Sequence, residues 1–127
     1  APHTHATEDQ AVYVVSGELE FEVGGEGGLR FTVPAGSFVR KPAGIEHSFW
    51  NATGEPCEYI ELNAGEHFQQ LVELTADGPV RAAMSAKKEY GVSINFPRVP
   101  GMLAKYRLTS VAAMNMPWEG KAPPNFP

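Results

Sequence analysis

Three of the four histidines in this chain stand in a pattern that could bind a metal. His3 and His5 are separated by one residue near the start, and His47 follows in the middle. Side chains alternate along a strand with period two, so His3 and His5 would point to one face. Two imidazoles on one face, joined by a third from a distant strand, make a facial metal site. A His-x-His pair alone is better explained by scattered surface histidines. The weight therefore falls on the segment around His47.

That segment reads Gly36, five residues, Pro42-Ala43-Gly44, two residues, His47, three residues, Asn51. Together with His3, His5 and Gly17 it resembles the two motifs of the cupin superfamily. The second motif is matched at every fixed position. In the first, the position separated from Gly17 by six residues holds Gln10, where the family usually has Glu. The resemblance covers roughly the first half of the chain. It implies a mainly β fold, a cupin-type barrel or jelly roll, here with a C-terminal helical extension. It also implies a metal held by His3, His5, Gln10 and His47. Asp9 competes with Gln10 for the fourth place, because the family also allows three residues after the second histidine. Only Gln10 keeps the six-residue spacing to Gly17.

The chemistry of such a site turns on Gln10. Three neutral imidazoles around a dication leave about two positive charges, where the usual carboxylate would remove one. An amide oxygen is a neutral donor and cannot act as a base. Gln10 would thus make the ion a stronger Lewis acid toward an anionic or chelating substrate. Gln10 and Glu8 are the candidate catalytic residues, with Glu8, or Asp9 beside it, as an acid/base at the rim. Histidines plus an amide leave about two open positions on an octahedral ion. Mixed nitrogen and oxygen donors suit Fe, Mn, Ni, Co, Cu or Zn, so the expected cofactor is a divalent transition metal.

Three readings follow. The leading one is a metal-dependent enzyme acting on a small chelating or anionic organic substrate, an oxidoreductase of dioxygenase type. A barrel followed by a helical tail looks like bacterial quercetin-dioxygenase-like cupins, although flavonol-cleaving relatives use the absent Glu as a base. The second is a non-oxidative isomerase or lyase. Cupins that process unsaturated uronates resemble this chain in having His-x-His, four residues, Gln, and a later His. The third is a non-catalytic cupin whose barrel simply holds a metal or ligand.

Strands must position these residues. Ala11 to Val15 is β-branched and aromatic. Glu18 to Val23 alternates strictly, which predicts Leu19, Phe21 and Val23 inward and three glutamates in water. Gly24 to Gly28 is a hairpin loop, Leu29 to Val33 the returning strand, and Pro34-Ala35-Gly36 a turn. Ser37 to Lys41, His47 to Thr53 and Cys57 to Leu62 are further strands, which points to a sandwich or small barrel. Gln10 has the wrong parity to follow His5 on one strand, so Ala6 to Asp9 must loop or bulge. Beyond it Gln10, Val12 and Val14 share a face. His47, Phe49 and Asn51 share another, and Asn51 is expected to fix backbone rather than bind a ligand.

From Asn63 helices take over. Asn63-Ala-Gly-Glu66 resembles a capping box, with Phe68, Leu71 and Val72 on one face of the helix that follows. His67 on that helix is expected at the surface. A second helix is predicted over Pro79 to Tyr90, with Val80, Ala83 and Met84 on one face and Gly91 as the stop. Beyond Phe96 the chain is rich in Pro and Met, and an extended tail is expected, docked through Trp118 and Phe126.

The 127 residues make one domain: a barrel core over 1–63 and a helical and extended segment, 64–127, packed on it. The chain lacks an initiator Met and has a presumed ligand at residue 3, so an N-terminal segment is expected upstream. A net charge of −5 without a basic cluster excludes nucleic acid and anionic membrane as partners. The expected partners are a small-molecule substrate and a second copy of the chain in a homodimer. The single cysteine, Cys57, fits a reducing compartment. With no membrane-length apolar run and no signal peptide, a cytoplasmic location is expected.

Overall fold

Alternating side chains along short segments, each ended by a turn residue, dictate sheets here rather than helices. The computed structural model describes residues 1–108. The strands are β1 (His3–His5), β2 (Gln10–Ser16), β3 (Glu18–Val23), β4 (Leu29–Pro34), β5 (Phe38–Lys41), β6 (His47–Trp50), β7 (Glu58–Asn63) and β8 (Val92–Ile94). The helices are α1 (His67–Asp77), α2 (Pro79–Tyr90) and α3 (Val99–Tyr106), with a 3-10 turn at Phe96–Arg98. A five-stranded sheet has the order β4-β3-β6-β1-β8, and a three-stranded sheet the order β5-β2-β7. All pairings are antiparallel. The fold is mainly β, two antiparallel sheets with helices following.

The two sheets share a core of Val12, Val14, Leu19, Phe21 and Val33. Phe21 stacks on both Phe31 and Phe49, with ring centroids 5.7 and 5.0 Å away. The parity conflict between His5 and Gln10 is resolved by a change of sheet. β1 lies in the large sheet and β2 in the small one, and residues 6–9 cross between them. Gly17, at the tight link from β2 to β3, has φ +73°, and a Cβ there would meet Pro56 O at 2.7 Å. Only glycine fits without a shift. β8, which the sequence does not announce, comes from beyond α2 and pairs with β1 along its whole length.

Four expectations need correction. Asn63 does not cap α1, since it is the last residue of β7. The cap comes from Glu8, whose two carboxylate oxygens accept the backbone N–H groups of His67 and Phe68 at 2.8 and 3.0 Å. Gly65 makes room for it, because a Cβ there would collide with Glu8 Oε1. Glu22 is not in water: it is 5% exposed, bonded to Arg98 and to the Tyr106 hydroxyl. On α2 the buried residues are Ala82 and Ala86, packed with Leu71 and Val92, while Met84 is 80% exposed. The side chain of Val80 lies outside the described set. Finally, residues 99–106 are helical. Pro100 falls in the first turn, where a missing N–H breaks no bond. The expected tail with Trp118 and Phe126 lies outside the described residues.

The C-terminal segment is fastened across the outer face of the large sheet. Tyr106 stacks on Trp50 at 4.5 Å, and Arg98 binds both Glu22 and Glu46. Burial by itself would push the Glu22 carboxyl up, but Arg98 and Tyr106 outweigh it and hold the group below the usual range. Among the described residues, no helix is long and apolar enough to cross a membrane.

Candidate metal centre

β1 is only three residues long, yet it places His3 and His5 on one side, and the antiparallel register sets His3 opposite His47 of β6. Sequence separation is thus erased by strand pairing. The ring centroids lie 4.9 Å (His3–His5), 4.5 Å (His3–His47) and 5.5 Å (His5–His47) apart. One nitrogen from each ring falls within 4.8 Å of the others. Among the described residues this is the only such convergence of three His, Cys, Asp or Glu side chains. His5 and His47 are each 2% exposed.

Hydrogen bonding decides which nitrogen is free. His3 Nδ1 lies 2.8 Å from the carbonyl of Ala1, and His47 Nδ1 lies 3.1 Å from that of Ile45. A carbonyl can only accept, so Nδ1 carries the proton in both rings and Nε2 keeps its lone pair. Those Nε2 atoms are buried without a partner, as are both ring nitrogens of His5. Buried polar atoms are rarely left so, and three rings with bare nitrogens turned together fit the binding of a cation. Electrostatics agree. Burial lowers His5 to about 4, with the Lys41 charge adding to the shift, and lowers His47 to about 3 for the same two reasons. His3 is pushed well below its usual value by burial and by His47. All three rings are neutral at pH 7, the form that binds metal.

The opposite wall is the inner face of the small sheet. Gln10 is 2% exposed; its amide donates to Asn63 Oδ1 at 2.6 Å, while its carbonyl Oε1 is buried without a partner. Cross-strand register sets Lys41 and Asn63 on either side of Gln10, and Glu61 beside Val12. Lys41, with a fully buried side chain, is bonded to Glu61 and sits 5.1 Å from the centre of the Phe49 ring. Burial pushes its ammonium below the usual lysine range, and Glu61 offsets part of that.

Residues 1–63 match the family described as the cupin domain. The chain belongs to the cupin superfamily. Among solved structures, this cupin is 27% identical to a putative sugar phosphate isomerase from Acidithiobacillus ferrooxidans, over 49% of this chain and 38% of that one, with a TM-score of 0.44. It is 27% identical to KdgF from Halomonas sp. over 50% of this chain and 53% of that one, with a TM-score of 0.42. It is 20% identical to HppE, solved with CoII in complex with Tris buffer, over 47% of this chain and 34% of that one, with a TM-score of 0.43. The chain thus spans between about a third and just over half of the length of these relatives. No curated protein matches it.

The other sequence candidates have different tasks in this cupin. Both oxygens of Glu8 are spent on the start of α1. Asp9 accepts from Ala43 N at 2.8 Å and from Arg40 at 2.7 Å, outside the histidine cluster. Asn51 fixes the 51–55 turn, accepting from Thr53 N at 3.0 Å. His67 is exposed. Sequence reasoning missed Lys41, Glu61 and the Asn63 partner of Gln10, although strand alternation from Val39 and from Tyr59 would have turned all three inward. It also missed the contact of Phe68 on α1 with the His3 and His5 rings, with centroids at 6.0 and 4.9 Å. That contact lets the first helix supply an apolar side to the cluster.

Proposed function

We propose that this cupin is a metal-dependent enzyme in which His3, His5, His47 and Gln10 hold a divalent transition metal that acts on a small chelating, anionic organic substrate. The observation that carries this reading is the set of buried, unpartnered donor atoms: Nε2 of His3 and His47, both nitrogens of His5, and Oε1 of Gln10. When bound, the ion supplies Lewis acidity and open coordination positions. The protein's own contribution is to keep the rings neutral, fix two of them through backbone carbonyls, and turn the Gln10 oxygen inward through Asn63. Elemental analysis of protein purified without a nickel column, with each ligand replaced in turn, tests the assignment.

Non-oxidative chemistry, of isomerase or lyase type, is the alternative to a dioxygenase-like reaction, supported by the neutral Gln10 where base-assisted oxygenation would use a carboxylate. Glu8 and Asp9 each accept hydrogen bonds from backbone N–H groups outside the histidine cluster. The dioxygenase-like reading stands beside it, because an octahedral ion with four protein ligands has room for substrate and dioxygen. Oxygen uptake with catechol, enediol or flavonol substrates supports that reading; anaerobic turnover of an unsaturated uronate supports the other. A homodimer belongs to this proposal as well. The outer face of the small sheet exposes Tyr13, Phe38, Ile60 and Leu62, an apolar surface suited to a second copy. Light scattering of Ile60→Lys against the parent chain tests it.

A further inference from the structure

A buried ammonium beside a metal site is hard to explain as packing. The Lys41 side chain is completely shielded from solvent, and Glu61, bonded to it, is 20% exposed. Among the described residues Glu61 is its one hydrogen-bond acceptor. An ammonium has three donors, so the site as it stands leaves donors to spare. Lys41 pairs in register with Gln10 and is close enough for its charge to act on both His5 and His47. The charge count is lopsided: a dication, neutral histidines, a neutral amide and the Lys41–Glu61 pair sum to about two positive charges in a dry lumen. An anionic ligand would use the spare donors and offset that charge.

We propose that Lys41 is the anion-anchoring residue of this cupin: its ammonium holds the acidic group of a small organic acid whose second oxygen reaches the metal. The proposal rests on the metal reading above and narrows it to organic acids with a second oxygen donor. Glu61 is then the internal stand-in for the ligand, competing for the ammonium in its absence and released toward solvent in its presence. A pair serving the barrel alone would behave differently, since a buried ion pair replaced by apolar groups of similar shape commonly leaves a fold intact.

Cobalt-loaded protein, whose visible spectrum reports the ion's surroundings, is titrated with malonate as the anionic chelator and with imidazole as a neutral ligand. Lys41→Met is expected to weaken malonate by about 10-fold or more and to change imidazole by less than about 2-fold. Glu61→Gln is expected to tighten malonate severalfold, because the competing carboxylate is gone. Should Lys41→Met alone not fold, Lys41→Met/Glu61→Gln removes both buried charges and should likewise bind malonate about 10-fold or more weakly than the parent while imidazole changes by less than about 2-fold. Malonate affinity independent of residue 41, no malonate binding by the cobalt-loaded parent, or a Glu61→Gln variant that binds malonate more weakly overturns the proposal. If the parent chain takes up no cobalt, the metal reading fails first. Cobalt uptake with indifference at Lys41 sinks only the anchor.

Discussion

The two walls of the lumen do opposite things with their polar atoms. On the large sheet, His3, His5 and His47 leave four ring nitrogens buried and bare. On the small sheet, Gln10 is tied to Asn63 and Lys41 to Glu61, and only Gln10 Oε1 stays free. A bare lone pair in a dry interior is costly unless a ligand completes it, whereas a paired group is stable as it stands. The first wall is therefore built to accept a cation, and the second is a preset surface against which a ligand can be held. Changes on the first should abolish metal binding; changes on the second should tune it.

The largest effect is expected from His47→Ala. It removes a nitrogen donor from the bare wall, so affinity for Mn, Fe, Co, Ni or Zn should fall more than about 100-fold, beyond what loss of a supporting residue gives. Isothermal titration and elemental analysis measure it. Retention of one ion per chain would break the contrast between the walls.

Acid should strip the site just as completely, but late. Free imidazole, at about 6.5, would lose metal near pH 6. Burial has lowered His5 to about 4 and His47 to about 3, so protons compete poorly and metal should hold at about pH 5. The sign for stability of the metal-free chain is also set. The unfolded histidines bind protons between their ordinary value and the lowered folded values, while the folded ones do not. Stability is full above about 6.5 and is lost as pH falls toward the lowered values. Denaturant midpoints between pH 7 and 4 check this; a flat profile would mean that the rings are not buried as described.

How legible were the walls beforehand? The bare wall is legible through the resemblance of His-x-His and the Pro-x-Gly-x-x-His segment to the cupin motifs; period two alone aligns His3 with His5, and the pairing of β1 with β6 brings in His47. The paired wall is legible only at Gln10. β7 is inverted: Ile60 and Leu62 face out, each 51% exposed, while Tyr59, Glu61 and Asn63 turn inward. β5 shows the same, with Phe38 59% exposed and Lys41 buried. A rule that sends apolar residues inward fails where a lumen must hold polar groups. The Glu8 cap was unreadable for another reason, since its partners lie 59 and 60 residues away and no local pattern signals them. Alternation along β3 points Glu22 to water because its cover, Arg98 and Tyr106, comes from a segment whose prolines suggest no helix.

Glu8→Ala sharpens the division between site and support. It frees two backbone N–H groups at the start of α1 and should cost about 2 kcal/mol in stability. Metal affinity should stay within about 3-fold, because no atom of Glu8 belongs to the histidine cluster. Denaturant melts read the first and titration the second. A variant of unchanged stability but lost turnover would return Glu8 to the chemistry.

The smallest and most diagnostic change is Gln10→Glu. In the metal-free chain it places a carboxylate where Oε1 already lacks a partner, and Asn63 must turn its amide to donate instead of accept. Stability without metal should fall. With metal the sign reverses, because an anionic oxygen replaces a dipole beside a dication, and affinity should rise by about 10-fold. The same charge makes the site a weaker trap for anions, so an acidic substrate should bind less well, and Lewis-acid turnover should drop with it. A reaction that needs a base at this position would instead speed up. Metal affinity and turnover are thus expected to move apart under one reading and together under the other. Unchanged metal affinity would remove Gln10 from the ligand set and leave the three histidines as the whole of it.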